Sequence, residues 1–446
     1  MPGTRASLPP LGRLGILRLG LVQSALGGLV MLATSMLNRV MVVEYALPAI
    51  VPAALIGWHY AVQLARPAWG HASDRGSNRK RWIVGGMGVL AMGGVLATNA
   101  VFLTSIALVP GLLLLALAFS MIGAGVGAAG TSLLALLASR LEPERRPGAA
   151  ATTWIMMVAG IALTAGIASQ FLDPFSPERL ALVAGGVALA CFLLTLVAVA
   201  GVVEGKPDAR DESAGSQGFA HAIASIWDDA RVRQFTIFVF VSMLAYSVQD
   251  VILEPFAGHV FGFTPGQSTG LSGQQHGGVL AGMLLIGIFG KRLAALLPGG
   301  TRSLVVVGCL VSAGALLALA AAARAGPGFP LVPFVILLGF GNGMFAVSAI
   351  AAMMDLAGLG GRGREGIRMG LWGAAQAIAF GLGGLVGASG VDAGRALLAA
   401  DADAYALVFT AEALLFLLSA GLALRIHMAN SARADTSNDR HAGVTA

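Results

Sequence analysis

Apolar residues in this chain come in long unbroken runs, without the short alternation of a half-buried strand. About 20 apolar residues in a helix cross a bilayer core. Runs of that size predict helices over 15–37, 46–66, 82–104, 108–138, 150–170 and 180–203, then 234–256, 273–290, 303–323, 331–355, 368–390 and 404–426. The fourth run is long enough to tilt or pass beyond the membrane, and the eighth is short and Gly-flanked. The prediction is an all-α membrane protein, a twelve-helix bundle of two six-helix halves. The longest polar interruption, 204–233, opens as a flexible Gly/Ser/Asp/Pro linker and closes on HAIASIWDDARV, which reads as a short amphipathic surface helix. The expected organisation is an N-terminal half over 1–203, a cytoplasmic central loop over 204–233, a C-terminal half over 234–429, and a disordered cytoplasmic tail over 430–446.

Composition agrees with lipid as the solvent. Charged residues make up 11% of the chain and hydrophobic ones 57%, whereas soluble domains carry about 25% charged residues. The 62 glycines suit close helix contact in a membrane. Cys191 and Cys309 lie inside apolar runs, so neither a disulfide framework nor a metal site is expected. The first apolar run is too long for a cleavable signal.

Charge placement adds orientation. With both termini inside, only Arg39, Arg179, Arg324 and Arg395 of the 28 Lys and Arg residues fall on the outer side. Adding or removing one helix would scramble that split, so it also supports twelve. The basic balance is thus explained by topology, with the lipid bilayer as partner, and no nucleic-acid partner is expected.

Between helices two and three stands GHASDRGSNRKR, with Gly70, Asp74, Arg75, Gly76 and the basic run opened by Arg79. Glycines permit a tight turn between antiparallel helices, and Asp74 suits a helix N-terminus or an Arg partner. Alone, the string also reads as a charged turn obeying the positive-inside rule. With six helices, a loop and six more, it resembles the cytoplasmic loop signature of the major facilitator superfamily. The second half carries only a degraded counterpart at Gly290-Lys291-Arg292.

Ionisable groups at membrane depth are functional candidates. Asn38, Arg39 and Glu44 end helix one; Gln249, Asp250 and Glu254 stand at the matching place on helix seven. In a six-plus-six repeat these clusters face each other, so Arg39 can pair with Asp250 or Glu254, or instead with Glu44. The alternative is that they mark helix ends in the headgroup zone. Helix ten adds Asn342 and Asp355, the latter also readable as a boundary residue. Helix two carries His59, a candidate metal or pigment-magnesium ligand or else a packing residue; the remaining histidines are assigned to loops, tails or helix ends. The chain has no phosphate loop of the GxxxxGK[ST] type and no metal-spaced His/Cys/Asp cluster. Its one Asp pair, Asp228-Asp229, lacks the second aspartate-rich cluster of a prenyltransferase. No enzyme is expected.

LNRVMVVEYALPA (37–49), WHYAVQLARPAWGHASDRG (58–76), GAGVGAAGTSLLALLA (123–138), VQDVILEPFAGHVFG (248–262), GFGNGMFAVSAIAAMMDLA (339–357) and GLWGAAQAIAFGLGGLVG (370–387) resemble the PucC/LhaA family. This is the bacteriochlorophyll-delivery branch of the major facilitator superfamily. The chain is most similar to the shorter members encoded among bacteriochlorophyll-synthesis genes. The resemblance implies a multi-pass protein of the bacterial inner, photosynthetic intracytoplasmic membrane that serves light-harvesting complex assembly. No covalent cofactor is implied. Bacteriochlorophyll or a precursor would be a bound client, and light-harvesting polypeptides or the pigment synthase the protein partners. Two other readings stay open: a proton-coupled small-solute transporter using Asp250, Glu254 or Asp355, and a non-transporting scaffold for antenna polypeptides or pigment synthase.

Overall fold

The computed structural model describes residues 11–66, 69, 79–142, 145–202, 230–358 and 365–425. Among them are eleven helices long and apolar enough to cross a membrane: α1 (Arg13–Glu44), α3 (Arg79–Ile106), α4 (Leu108–Arg140), α5 (Arg146–Ser169), α6 (Pro177–Val199), α7 (Ala230–Phe261), α8 (Pro265–Leu296), α9 (Thr301–Ala325), α10 (Leu331–Gly358), α11 (Glu365–Leu397) and α12 (Asp401–Arg425). The twelfth, α2 (Ile50–Ala65), is shorter. Only helices satisfy their own backbone in hydrocarbon, strand by strand closure aside, and outward-facing leucines such as Leu163, Leu182, Leu189 and Leu414 stay exposed on them, as lipid contact requires.

The helices extend past the predicted runs where polar residues find partners. α1 continues to Glu44, so Asn38 and Arg39 lie inside it. α8 starts at Pro265, well before 273, because Ser268, Thr269, Ser272 and Gln275 are buried instead of facing water. A hydropathy run registers only the apolar part of such a helix. His276 is therefore no helix-end residue: it lies buried within α8, its Nδ1 2.9 Å from Ser272 O.

The chain forms two compact units: Met1–Ser213 with Asp250–His276, and Ala214–Gln249 with Gly277–Ala446. In the first, α3 packs most extensively on α4 and α1 on α5. The α1/α5 contact depends on Gly160, where a methyl group would sit 2.2 Å from Ser24 O; the close approach lets Ser24 Oγ donate to Met156 O at 2.6 Å. The second unit is built around α9 with α10 and α12. Its core holds an aromatic chain running from Trp372 through Phe235, Phe238 and Phe345 to Phe416, with ring centroids 4.8–6.2 Å apart.

Candidate functional site

The polar groups of the first unit gather in two places. One is the end of α1 with the α7–α8 connection. α1 does not stay α-helical there: Leu32–Met36 and Val40–Glu44 are π-helical turns. A π turn bonds residue i to i+5, and so brings residues five apart onto one face. Arg39 and Glu44 are five apart and form an ion pair, with side chains 3% and 29% exposed. The second guanidinium nitrogen of Arg39, Nη2, donates to Phe263 O at 2.7 Å. Asn38, fully buried, donates from Nδ2 to Val251 O at 2.6 Å. Glu254 lies close enough to feel the Arg39 charge, and it accepts from Thr269 Oγ1 at 3.4 Å. The structure thus brings Asn38, Arg39, Glu44 and Glu254 together, with the ion pair made inside α1.

A residue without a sequence signal completes this end. Asp173, in the α5–α6 connection, accepts from Thr264 Oγ1 at 2.5 Å and from Gly266 N at 3.1 Å. Thr264 caps α8: Gln267 N donates to Thr264 Oγ1 at 3.2 Å and Thr264 N to Gln267 Oε1 at 3.0 Å, a reciprocal capping box with Pro265 at the first helical position. The Asp173 carboxylate therefore sits at the positive end of the α8 dipole. Sequence reading passes over Asp173 because FLDPFSP looks like any polar turn. The capping box is legible in the sequence as TPGQ. A pocket of about 430 Å³ opens here, lined by Arg39, Glu44, Asp173, Gly258 and Phe263 among others.

The second place is α2. Arg66 donates from Nη2 to Gln63 Oε1, and Gln63 Nε2 lies 2.8 Å from His59 Nε2. The His59 ring is 1% exposed and packs edge-on to Tyr60 at 4.9 Å. Tyr60 in turn lies within electrostatic reach of Asp250. Arg66 itself sits past the end of α2, where burial lowers its pKa. Asp250 keeps part of its surface accessible, and its Oδ1 is enclosed with no hydrogen-bond partner among the described residues.

The remaining candidates are dispersed. Gln249, the last α7 residue of the other unit before Asp250, is buried with its amide unpartnered among the described residues. Asn342 is buried and accepts from Ser312 Oγ at 2.8 Å, tying α10 to α9. Asp355 belongs to the last turns of α10, and its side chain lies outside the described residues. Gly70, Asp74, Arg75 and Gly76 also lie outside them, whereas Arg79 opens α3, largely buried, and donates to Ala135 O at 3.2 Å.

The chain resembles solved transporters in fold. Against the nucleoside transporter NupG the TM-score is 0.67 at 15% identity, covering 92% of this chain and 99% of that one. Against a bacterial homologue of the human lysosomal transporter Spinster it is 0.63 at 15% identity, covering 92% and 95%. These likenesses establish a major-facilitator-type fold. Among sequence relatives, the "Bacteriochlorophyll synthase 44.5 kDa chain" of Rhodobacter capsulatus is 52% identical, over 95% of this chain and 97% of that protein. "Protein PucC" of the same organism is 27% identical over 84% and 82%. The family model for the PUCC protein matches residues 36–431. That match takes in all of α2–α12 and the charged end of α1, and the chain belongs to the PUCC protein family.

Proposed function

We propose that this protein is a membrane assembly factor for photosynthetic light-harvesting complexes, which binds bacteriochlorophyll or a precursor and delivers it to antenna polypeptides or the pigment synthase. One observation carries the reading: a relative 52% identical across nearly the whole of both chains is named for bacteriochlorophyll synthesis. Membership of the PUCC family and a transporter-type fold favour a carrier over an enzyme. The physical chemistry agrees. A tetrapyrrole with an apolar tail is held in the membrane by partition, and a helix bundle with small-residue faces offers it a water-free enclosure. In this reading the protein sits in the bacterial inner, photosynthetic intracytoplasmic membrane with both termini cytoplasmic, as the distribution of basic residues favours. The test is the absorption spectrum of the protein purified from a pigment-making cell. A near-infrared band that co-purifies with it is expected. A colourless protein that catalyses proton-linked solute uptake in vesicles would replace this reading with that of a transporter, for which Asp250 and Glu254 at membrane depth are the specific support.

A further inference from the structure

We propose, building on the pigment reading above, that the open groove between α3 and α6 seats a magnesium tetrapyrrole, and that Asn99 Oδ1 takes its magnesium. Both helices belong to the first compact unit. The groove holds about 700 Å³, a size typical of small-molecule sites. It follows α3 from Gly88 to Asn99, about 16 Å of helix, and α6 from Gly185 to Phe192. Phe192 closes the Gly88 end, its ring 3.5 Å from where a methyl group on that glycine would stand. Gly185 leaves the floor open, since a methyl group there would meet nothing within 4 Å. Every lining residue except Asn99 is apolar.

Asn99 is exposed, and it is no helix-end residue: exposed Phe102 and Ile106 lie between it and the end of α3, and exposed Met92 lies two turns before it. Its amide orientation is fixed. Val95 O can only accept, so the atom bonded to it at 2.8 Å is Nδ2. Oδ1 is then the outward atom, with no hydrogen-bond partner among the described residues. An unmet acceptor in hydrocarbon is costly, and few occupants relieve it. A lipid tail gives Oδ1 nothing, and a transmembrane helix arrives with its backbone donors already used. Magnesium is a hard cation that prefers oxygen. Held by the four nitrogens of a macrocycle, it keeps an axial position for one more ligand, and a carbonyl oxygen is of the right class. Phe192 and Met92 add aromatic and polarisable contact for the ring. His59 offers no such site: its Nε2 faces the Gln63 amide at 2.8 Å and its Nδ1 is enclosed.

The test uses full-length protein from pigment-free cells, loaded in detergent with a magnesium tetrapyrrole or its magnesium-free analogue and followed by absorption. Wild type is expected to retain the magnesium form about tenfold better, the factor of one good contact to a cationic centre. Asn99→Leu should stay monodisperse, because the residue faces lipid, and should lose that preference. Asn99→His should restore it with a shifted band, because an imidazole nitrogen replaces the oxygen. Gly185→Leu fills the groove from an open position and should bind neither form. Gly186→Leu, equally open but outside the groove, should bind like wild type. Equal retention of both forms by wild type would overturn the proposal and leave the groove as a seat for lipid tails. Asn99→Leu and Gly185→Leu proteins that keep the preference would overturn it too: the pigment would then sit elsewhere, and the pigment reading would stand. Wild type that holds neither form would be a different result, sinking the pigment reading itself and this contact with it.

Discussion

The pairing of Arg39 with Glu44 follows from how the backbone is wound. In an α-helix residues five apart point in different directions, since neighbours lie three or four apart; the π turn over Val40–Glu44 brings them together. The position of the cluster was readable from LNRVMVVE and VQDVILEP, because charges at the end of an apolar run stand out. The sequence offers Glu44, Asp250 and Glu254 alike as partners of Arg39, because a 3.6-residue period says nothing of the π turn that selects Glu44. Arg39 is buried while Glu44 keeps its contact with water, so an Arg39→Ala variant, which also strips Phe263 O of its charged donor, should lose about 1–3 kcal/mol. A double-mutant cycle of Arg39→Ala with Glu44→Gln, followed by thermal unfolding in detergent, should give a coupling of about 0.5–3 kcal/mol. Arg39 and Asp250 should be additive within about 0.5 kcal/mol. Strong coupling of Arg39 to Asp250 and none to Glu44 would refute this arrangement.

At the scale of elements, α8 shows how polar residues hide a membrane helix. Its apolar stretch suggested 273–290, yet the helix spans Pro265–Leu296, because serines, threonines and glutamine in the first turns are buried against protein and escape lipid. Its start is fixed by Thr264, Gln267 and Asp173. Thr264→Ala removes both the cap and the Asp173 contact, and should cost about 1–2 kcal/mol of stability. Thr264→Ser, which keeps the hydroxyl, should be near neutral. Gly266→Ala should be worse than its small size suggests, since a Cβ there would lie 2.4 Å from Asp173 Oδ2. Melting temperatures of the three variants check the order; a Gly266→Ala protein as stable as wild type would refute the close approach.

For the whole molecule, helix number and fold were legible because hydrophobic length and loop charge are set by the bilayer. The four arginines assigned to the outer side turn out to be held locally: Arg39 by Glu44, Arg179 by Asp173 O, Arg324 by Asp403 at 3.4 Å and Arg395 by Asp401 at 2.8 Å. In the proposed orientation these four are the exceptions to the charge rule. Reporter fusions at Ala446 and near Ser213 should both report cytoplasm, and a periplasmic signal at either would overturn the orientation. The part that no hydropathy reading shows is the course of α7 and α8 from one compact unit into the other, with Asp250–His276 joining α1–α6. That has a consequence for cutting the gene. A break in the polar stretch 204–233 looks harmless, but the fragment upstream of it would lack Val251, Phe263, Thr264 and Gly266, the groups that satisfy Asn38, Arg39 and Asp173. Expressed by itself it should be degraded, and made together with the downstream fragment it should be rescued, because the second fragment returns the missing wedge. This protein is divisible in sequence at a place where it is not divisible in fold.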